Sequence, residues 1–117
     1  MGTYVLSIDQ STQGTKALLF DEKATLIRRV DLPHRQIINE LGYVSHDPEE
    51  IYRNTLQVAM HLVAQAGIGK EEIVGVGISN QRETAVVWEK ATGKPVADAI
   101  VWQCSRSSDI CRQIEKK

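Results

Sequence analysis

Apolar residues along the chain follow two different periods. Over the first third they come in short runs: Tyr4 to Ile8, Thr15 to Phe20, and Thr25 to Leu32 with Ile27 and Val30 among its members. Runs of this length, rich in Val, Ile, Leu and Thr and separated by polar residues, predict strands. The connections are short, Asp9-Gln10-Ser11-Thr12-Gln13-Gly14 and then Asp21-Glu22-Lys23. They suit antiparallel hairpins and leave no room for crossover helices. A polar stretch follows from Pro33 to His46, with Asn39 and Gly42 as turn residues.

The period then changes. Asp47 can accept from the exposed amides of a first helical turn, Pro48 suits the first helical position, and Glu50 completes a capping box. Glu49 and Glu50 favour the positive end of the helix dipole. Ile51, Thr55, Val58, Leu62, Val63 and Ala66 fall at helical spacing along one side, and Gly67 supplies the stop. A helix is predicted from Pro48 to Ala66.

Ile73 to Ser79 reads as a strand, its glycines at 75 and 77 implying close approach of another group on that face. Thr84 to Trp88 and Lys94 to Val96 flank the turn composition Glu89-Lys90-Ala91-Thr92-Gly93, and Ala99 to Trp102 forms one more strand. Ser105 or Ser107 can cap a final helix that turns Ile110, Cys111 and Ile114 inward. The chain ends at Lys117 with no glycine or proline closing that helix, and it is expected to be a piece of a longer protein.

Composition narrows the function classes. At 117 residues, 42% hydrophobic and 25% charged, the chain has the make-up of one ordinary folded domain. Its net charge of -1 and scattered basic residues argue against nucleic acid as a partner. Its longest apolar stretches, Val74 to Ile78 and Ala97 to Trp102, fall far short of the roughly 20 residues that span a bilayer. No basic leader precedes the first strand, so neither a membrane nor export is expected and the protein reads as cytoplasmic. Cys104 and Cys111 lie two helical turns apart, too far for a disulfide on an intact helix, and read as small buried side chains. His34, His46 and His61 have no metal-ligand spacing.

Strand, strand, strand, helix, strand predicts an α/β fold with a mixed sheet whose first three strands are antiparallel, the helix letting the fourth run parallel to the first. This order opens the ribonuclease H-like, actin-like ATPase fold, of which the chain would be an incomplete first domain. It differs from a doubly wound sheet, where helices alternate with strands from the start. Gly75-Val76-Gly77 does not make a dinucleotide fingerprint, because Asn80 stands where the third glycine is needed.

The first hairpin holds the parts a phosphate chain needs. Asp9 ends a buried strand, and Ser11, Thr12, Gln13, Gly14, Thr15 and Lys16 fill the turn and the start of the next strand. Small residues let backbone amides approach anionic oxygens, hydroxyls donate, a cation follows, and a carboxylate can orient hydrated magnesium. A solvated polar hairpin has the same composition. The stretch is not a Walker P-loop, which needs Gly-Lys-Ser or Gly-Lys-Thr entering a helix.

Asp9-Gln10-Ser11-Thr12-Gln13-Gly14-Thr15-Lys16 resembles the first phosphate-binding hairpin of the FGGY carbohydrate kinases, with Ser11 in place of the usual glycine. Further stretches resemble the branch of that family that phosphorylates glycerol: Gly42-Tyr43-Val44-Ser45-His46-Asp47-Pro48, Gly77-Ile78-Ser79-Asn80-Gln81-Arg82-Glu83-Thr84, Thr92-Gly93-Lys94-Pro95 and Ala99-Ile100-Val101-Trp102-Gln103-Cys104.

The resemblance implies phosphoryl transfer from ATP, with Mg2+, to a primary hydroxyl of glycerol. It assigns Thr12, Gln13, Gly14 and Lys16 to the nucleotide phosphates and Asp9 to the metal neighbourhood. It gives the polyol to Arg82, Glu83 and Trp102: a guanidinium donates, a carboxylate accepts, and an indole walls the carbon face. The proton-accepting carboxylate is expected beyond residue 117, in a full-length homo-oligomer. Ser105, where the branch carries an arginine, and Ser11 keep open a related kinase of another polyol or of a ketose such as xylulose. A catalytically inactive binding module is the third reading.

Overall fold

The computed structural model describes residues 2–81, 84–101 and 108–115. They fall into two compact units, Met1–His34 with Glu49–Gln81, and Arg35–Pro48 with Arg82–Lys117.

The first unit is a four-stranded sheet with one long helix. β1 (Tyr4–Gln10), β2 (Gly14–Asp21) and β3 (Leu26–Pro33) are consecutive antiparallel strands. β6 (Ile73–Ser79) lies on the other side of β1 and runs parallel to it, giving the order β3-β2-β1-β6. The expected three hairpin-linked strands and parallel fourth are therefore present. Asp21 sets the β2–β3 turn: its Oδ1 accepts the N–H groups of Lys23 and Thr25, 2.9 Å each, with Ala24 at φ 62. This is the Asx-type turn that aspartate favours.

α1 spans Pro48–Ala66, as the sequence predicts, and ends against Gly67 at φ 67, a left-handed conformation that glycine adopts without penalty. Alternate residues of the sheet meet one stripe of this helix. Leu6 and Ile8 from β1 and Ala17 and Leu19 from β2 pack against Val58 and Leu62 from α1. Each Leu buried this way contributes about 1.5–3 kcal/mol. A short 3-10 turn, Lys70–Glu72, leads into β6; there Glu72 accepts from Gly69 N–H at 2.8 Å and from Gly2 N–H at 2.9 Å, fastening the start of the chain.

Two expectations fail in this unit and in the next. Nothing lies within 4 Å of where a Cβ on Gly75 or Gly77 would stand, so no close approach explains these glycines among the described residues. Val74, Val76 and Ile78 of β6 are exposed, as are Tyr52, Leu56 and Met60 on the outer side of α1. The apolar residues of α2 (Ser108–Glu115) do not turn inward: Ile110, Cys111 and Ile114 are exposed, and Cys111 is a free thiol. Helical periodicity finds the stripe on a helix but not whether another element covers it.

The second unit contains a small sheet of which the sequence reading finds only the strand starting at Ala99, leaving the other two strands as a polar stretch. β4 (Ile37–Ile38) pairs with β5 (Val44–His46), which pairs with β7 (Ala99–Ile100), all antiparallel. The β4–β5 turn is built by Asn39, whose Oδ1 accepts from Leu41 and Tyr43 N–H groups, with Gly42 at φ 78. The Glu89–Gly93 turn forms as expected, but its flanks make isolated bridges, Trp88 with Pro95 and Ala85 with Ile100, instead of regular strands. Among the described residues no helix is long and apolar enough to cross a membrane.

Candidate functional site

The β1–β2 hairpin of the first unit carries the residues expected to meet phosphate. Ser11 closes its turn twice: both its N–H (2.9 Å) and its Oγ (3.0 Å) donate to the Gly14 carbonyl. The serine in the family's glycine position thus has a local structural use. Gly14 pairs with Pro33 of β3, and a Cβ added to it would stand 2.5 Å from the Leu32 carbonyl oxygen. Only glycine lets β3 approach this closely. An open pocket of about 250 Å3 lies beside the turn, with Ser11, Gln13, Gly14, Lys16, Asp31 and Pro33 in its wall.

The strand register lines up charge. Asp9 pairs with Lys16 across the hairpin, Lys16 with Asp31 of β3, and Asp9 with Ser79 of β6. Directly opposed residues share a face of the sheet, so Asp31, Lys16, Asp9 and Ser79 form one row across four strands. Ile8 and Ala17, one position back, are buried against α1, so the row belongs to the opposite face. At the row's outer end Arg29 donates to both oxygens of Asp31 at 2.8 and 2.7 Å. This fork holds the Asp31 carboxyl below the usual carboxylate range, and the charge of Lys16 acts in the same direction. The pair is exposed and contributes little stability.

The turn is tied to the rest of the unit by residues that the sequence reading passed over. The N–H of His34 donates to the Gln13 carbonyl at 2.9 Å, and its ring is buried against Thr15. Gln10, at the end of β1, donates to Thr55 Oγ1 on α1. A lone histidine after a proline gives no sequence signal of such a role, because its partners are 19 and 20 positions away.

Asp9, Thr12, Gln13, Gly14 and Lys16 are therefore grouped in one hairpin. Arg82, Glu83 and Trp102, expected to hold the polyol, lie outside the described residues, as do Cys104, Ser105 and Arg106. Within the second unit, His46 is buried and its Nε2 bonds Gln36 Oε1 at 2.8 Å. That is a structural use of the histidine in the Gly42–Pro48 motif. Among the described residues no three His, Cys, Asp or Glu side chains cluster as metal ligands.

Residues 4–117 match the model of the FGGY family of carbohydrate kinases, N-terminal domain. The chain belongs to this family. As an FGGY chain it is 51% identical over 114 residues to glycerol kinase 1 of Thermotoga maritima, a match covering 97% of this chain and 23% of that protein. Among solved structures, Plasmodium falciparum glycerol kinase with ADP superposes with a TM-score of 0.84 at 35% identity, over 99% of this chain and 23% of that one. Gluconate kinase from Lactobacillus acidophilus superposes at 0.89 with 19% identity, again over 99% of this chain and 23% of its own, a likeness of fold. The sheet of the first unit is thus the opening of the actin-like ATPase fold of the FGGY kinases, and the chain spans 23% of the length of these relatives.

Proposed function

We propose that the protein carrying this chain is an ATP-dependent glycerol kinase, moving the γ-phosphoryl group of ATP to a primary hydroxyl of glycerol to give glycerol 3-phosphate and ADP. The observation that carries this reading is 51% identity to a glycerol kinase through 97% of the chain. A Plasmodium falciparum relative of the same activity, solved with ADP, shares the fold.

In this reading the hairpin receives the nucleotide phosphates. Thr12 and Gln13 offer donors at the turn, Gly14 keeps β3 close, and Lys16 places a positive charge in the pocket wall. Phosphoryl transfer depends on positioning and on neutralising charge spread over the equatorial oxygens, and a lysine fixed between Asp9 and Asp31 in the register suits that task. Asp9 is half-buried at the end of β1 and would hold magnesium, which takes one or two carboxylates together with phosphate oxygens and water. When bound, the ion would neutralise the phosphates. Arg82 and Glu83 would fix adjacent hydroxyls of glycerol, and Trp102 would cover its carbon face. The reading also makes the enzyme a cytoplasmic homo-oligomer with neither nucleic acid nor membrane as partner.

The test is glycerol-dependent ADP release, with ATP and magnesium, by the product of the complete reading frame. Turnover with glycerol is expected. A folded product that phosphorylates xylulose or another ketose and leaves glycerol untouched overturns the substrate assignment.

A further inference from the structure

The two arms of the hairpin are anchored to consecutive residues of α1. On the β1 side, Gln10 Nε2 donates to Thr55 Oγ1, which in turn donates to the Ile51 carbonyl at 2.8 Å. On the β2 side, Thr15 Oγ1 lies 2.9 Å from His34 Nε2, and His34 Nδ1 lies 3.2 Å from Asn54 Nδ2. Gln10 and Thr15 are opposed in the register, so the four turn residues 11–14 hang between the two anchors.

The protons in the second anchor follow from its partners. Asn54 Nδ2 also lies 3.0 Å from the Pro33 carbonyl, which can only accept. The atom facing it is therefore the amide nitrogen, which has two hydrogens and no lone pair to offer. One hydrogen goes to Pro33 and the other to His34 Nδ1. Nδ1 is then the acceptor, and Nε2 carries the proton that Thr15 Oγ1 accepts. His34 is 5% exposed and Thr15 fully buried, so this chain is shielded from competing water. The same residue's backbone N–H holds the Gln13 carbonyl, at the centre of the turn.

We propose that His34 is a positioning residue for the nucleotide: through Thr15 and Gln13 on one side and Asn54 on the other, it holds the β1–β2 hairpin in its phosphate-receiving conformation. The inference rests on the reading of that hairpin as the nucleotide-phosphate site. A loop that binds through backbone and short side-chain donors gains affinity when its geometry is fixed before the ligand arrives, because the ordering cost is then already met.

The experiment uses the complete enzyme and three substitutions, with KM for MgATP, Kd for MgADP, KM for glycerol, kcat and thermal stability measured for each. His34→Phe keeps the ring volume and removes both polar atoms. His34→Gln can return a donor to the position of Nε2 and so to Thr15. Lys16→Met removes the hairpin's charge and tests the underlying reading. His34→Phe should raise both nucleotide constants about 5- to 10-fold, the effect of losing the one of its two ring hydrogen bonds that reaches the hairpin, through Thr15, and leave glycerol KM and kcat within about two-fold. His34→Gln should recover most of the nucleotide affinity.

A His34→Phe enzyme with lowered thermal stability but unchanged nucleotide constants, or a His34→Gln enzyme no better than His34→Phe, overturns the inference while Lys16→Met still weakens nucleotide. Unchanged nucleotide affinity in Lys16→Met overturns the hairpin reading itself. If His34→Phe does not accumulate as folded protein, Asn54→Ala, which cuts the same anchor at its helix end, replaces it with the same two outcomes.

Discussion

A Cβ on Gly14 would stand 2.5 Å from the carbonyl oxygen of Leu32, closer than a Cβ atom comes to a backbone oxygen it is not bonded through. Gly14 is paired in the β2–β3 ladder at the base of the β1–β2 hairpin, so the two strands could admit a methyl group only by separating. Gly14→Ala is expected to cost about 1–3 kcal/mol, the usual cost of forcing a carbon into a packed position. It should also weaken nucleotide binding. Chemical denaturation together with MgADP titration checks both; a variant as stable as the parent shows that β3 can give way.

Lys16 lies between two carboxylates in the register and lines the hairpin pocket. If its charge meets the nucleotide phosphates, Lys16→Met removes a charge-assisted hydrogen bond, about 1.5–3 kcal/mol, and should raise KM for MgATP about 10- to 100-fold. Glycerol affinity should change far less. Calorimetric titration with MgADP at two salt concentrations gives the check: the wild type should weaken with salt more steeply than the variant.

The polyol assignment predicts the opposite pattern. Arg82→Ala and Glu83→Ala should each raise KM for glycerol or lower kcat by at least about 10-fold, with the nucleotide constants little affected, since each would leave a substrate hydroxyl without its partner. Steady-state kinetics with glycerol varied at saturating MgATP separates the two sets. Equal loss for both substrates would show that the pair holds the fold together.

Glu72 yields a pH dependence. The backbone N–H of Gly2, then that of Gly69, stabilise its charged form and hold its carboxyl below the usual glutamate range. The unfolded chain, at the ordinary value, takes up its proton first as pH falls. The contribution of Glu72 is therefore complete above the ordinary glutamate value and is lost as pH falls through the lowered one. Glu72→Gln should melt earlier than the wild type at neutral pH, and the gap should narrow in acid. Melting curves across an acid series measure it; a gap independent of pH would mean that the charge of Glu72 is not its source.

The sequence by itself determined the local elements of the first unit and the grouping of the candidate residues in one hairpin. Pro48 and Gly67 bound α1 because a missing N–H and a left-handed φ are properties of single residues. The β1–β3 meander follows from alternation and short connections, and the residues proposed to meet phosphate lie within one run from Asp9 to Lys16. What spanned distance in sequence was decided only by tertiary structure. The strands β4 and β5 are two and three residues long, too short for periodicity, and exist because β7, more than fifty positions on, pairs with β5. No described residue comes close to where a Cβ on Gly75 or Gly77 would stand, and the stripe of Ile110, Cys111 and Ile114 is exposed, since an apolar pattern says which face to cover but not what covers it. His34 gave no sign in the sequence at all. The role proposed for it comes from Thr15 and Asn54, which meet its ring, and from Gln13, whose carbonyl accepts its backbone N–H; hydrogen bonds between elements leave no period in a chain.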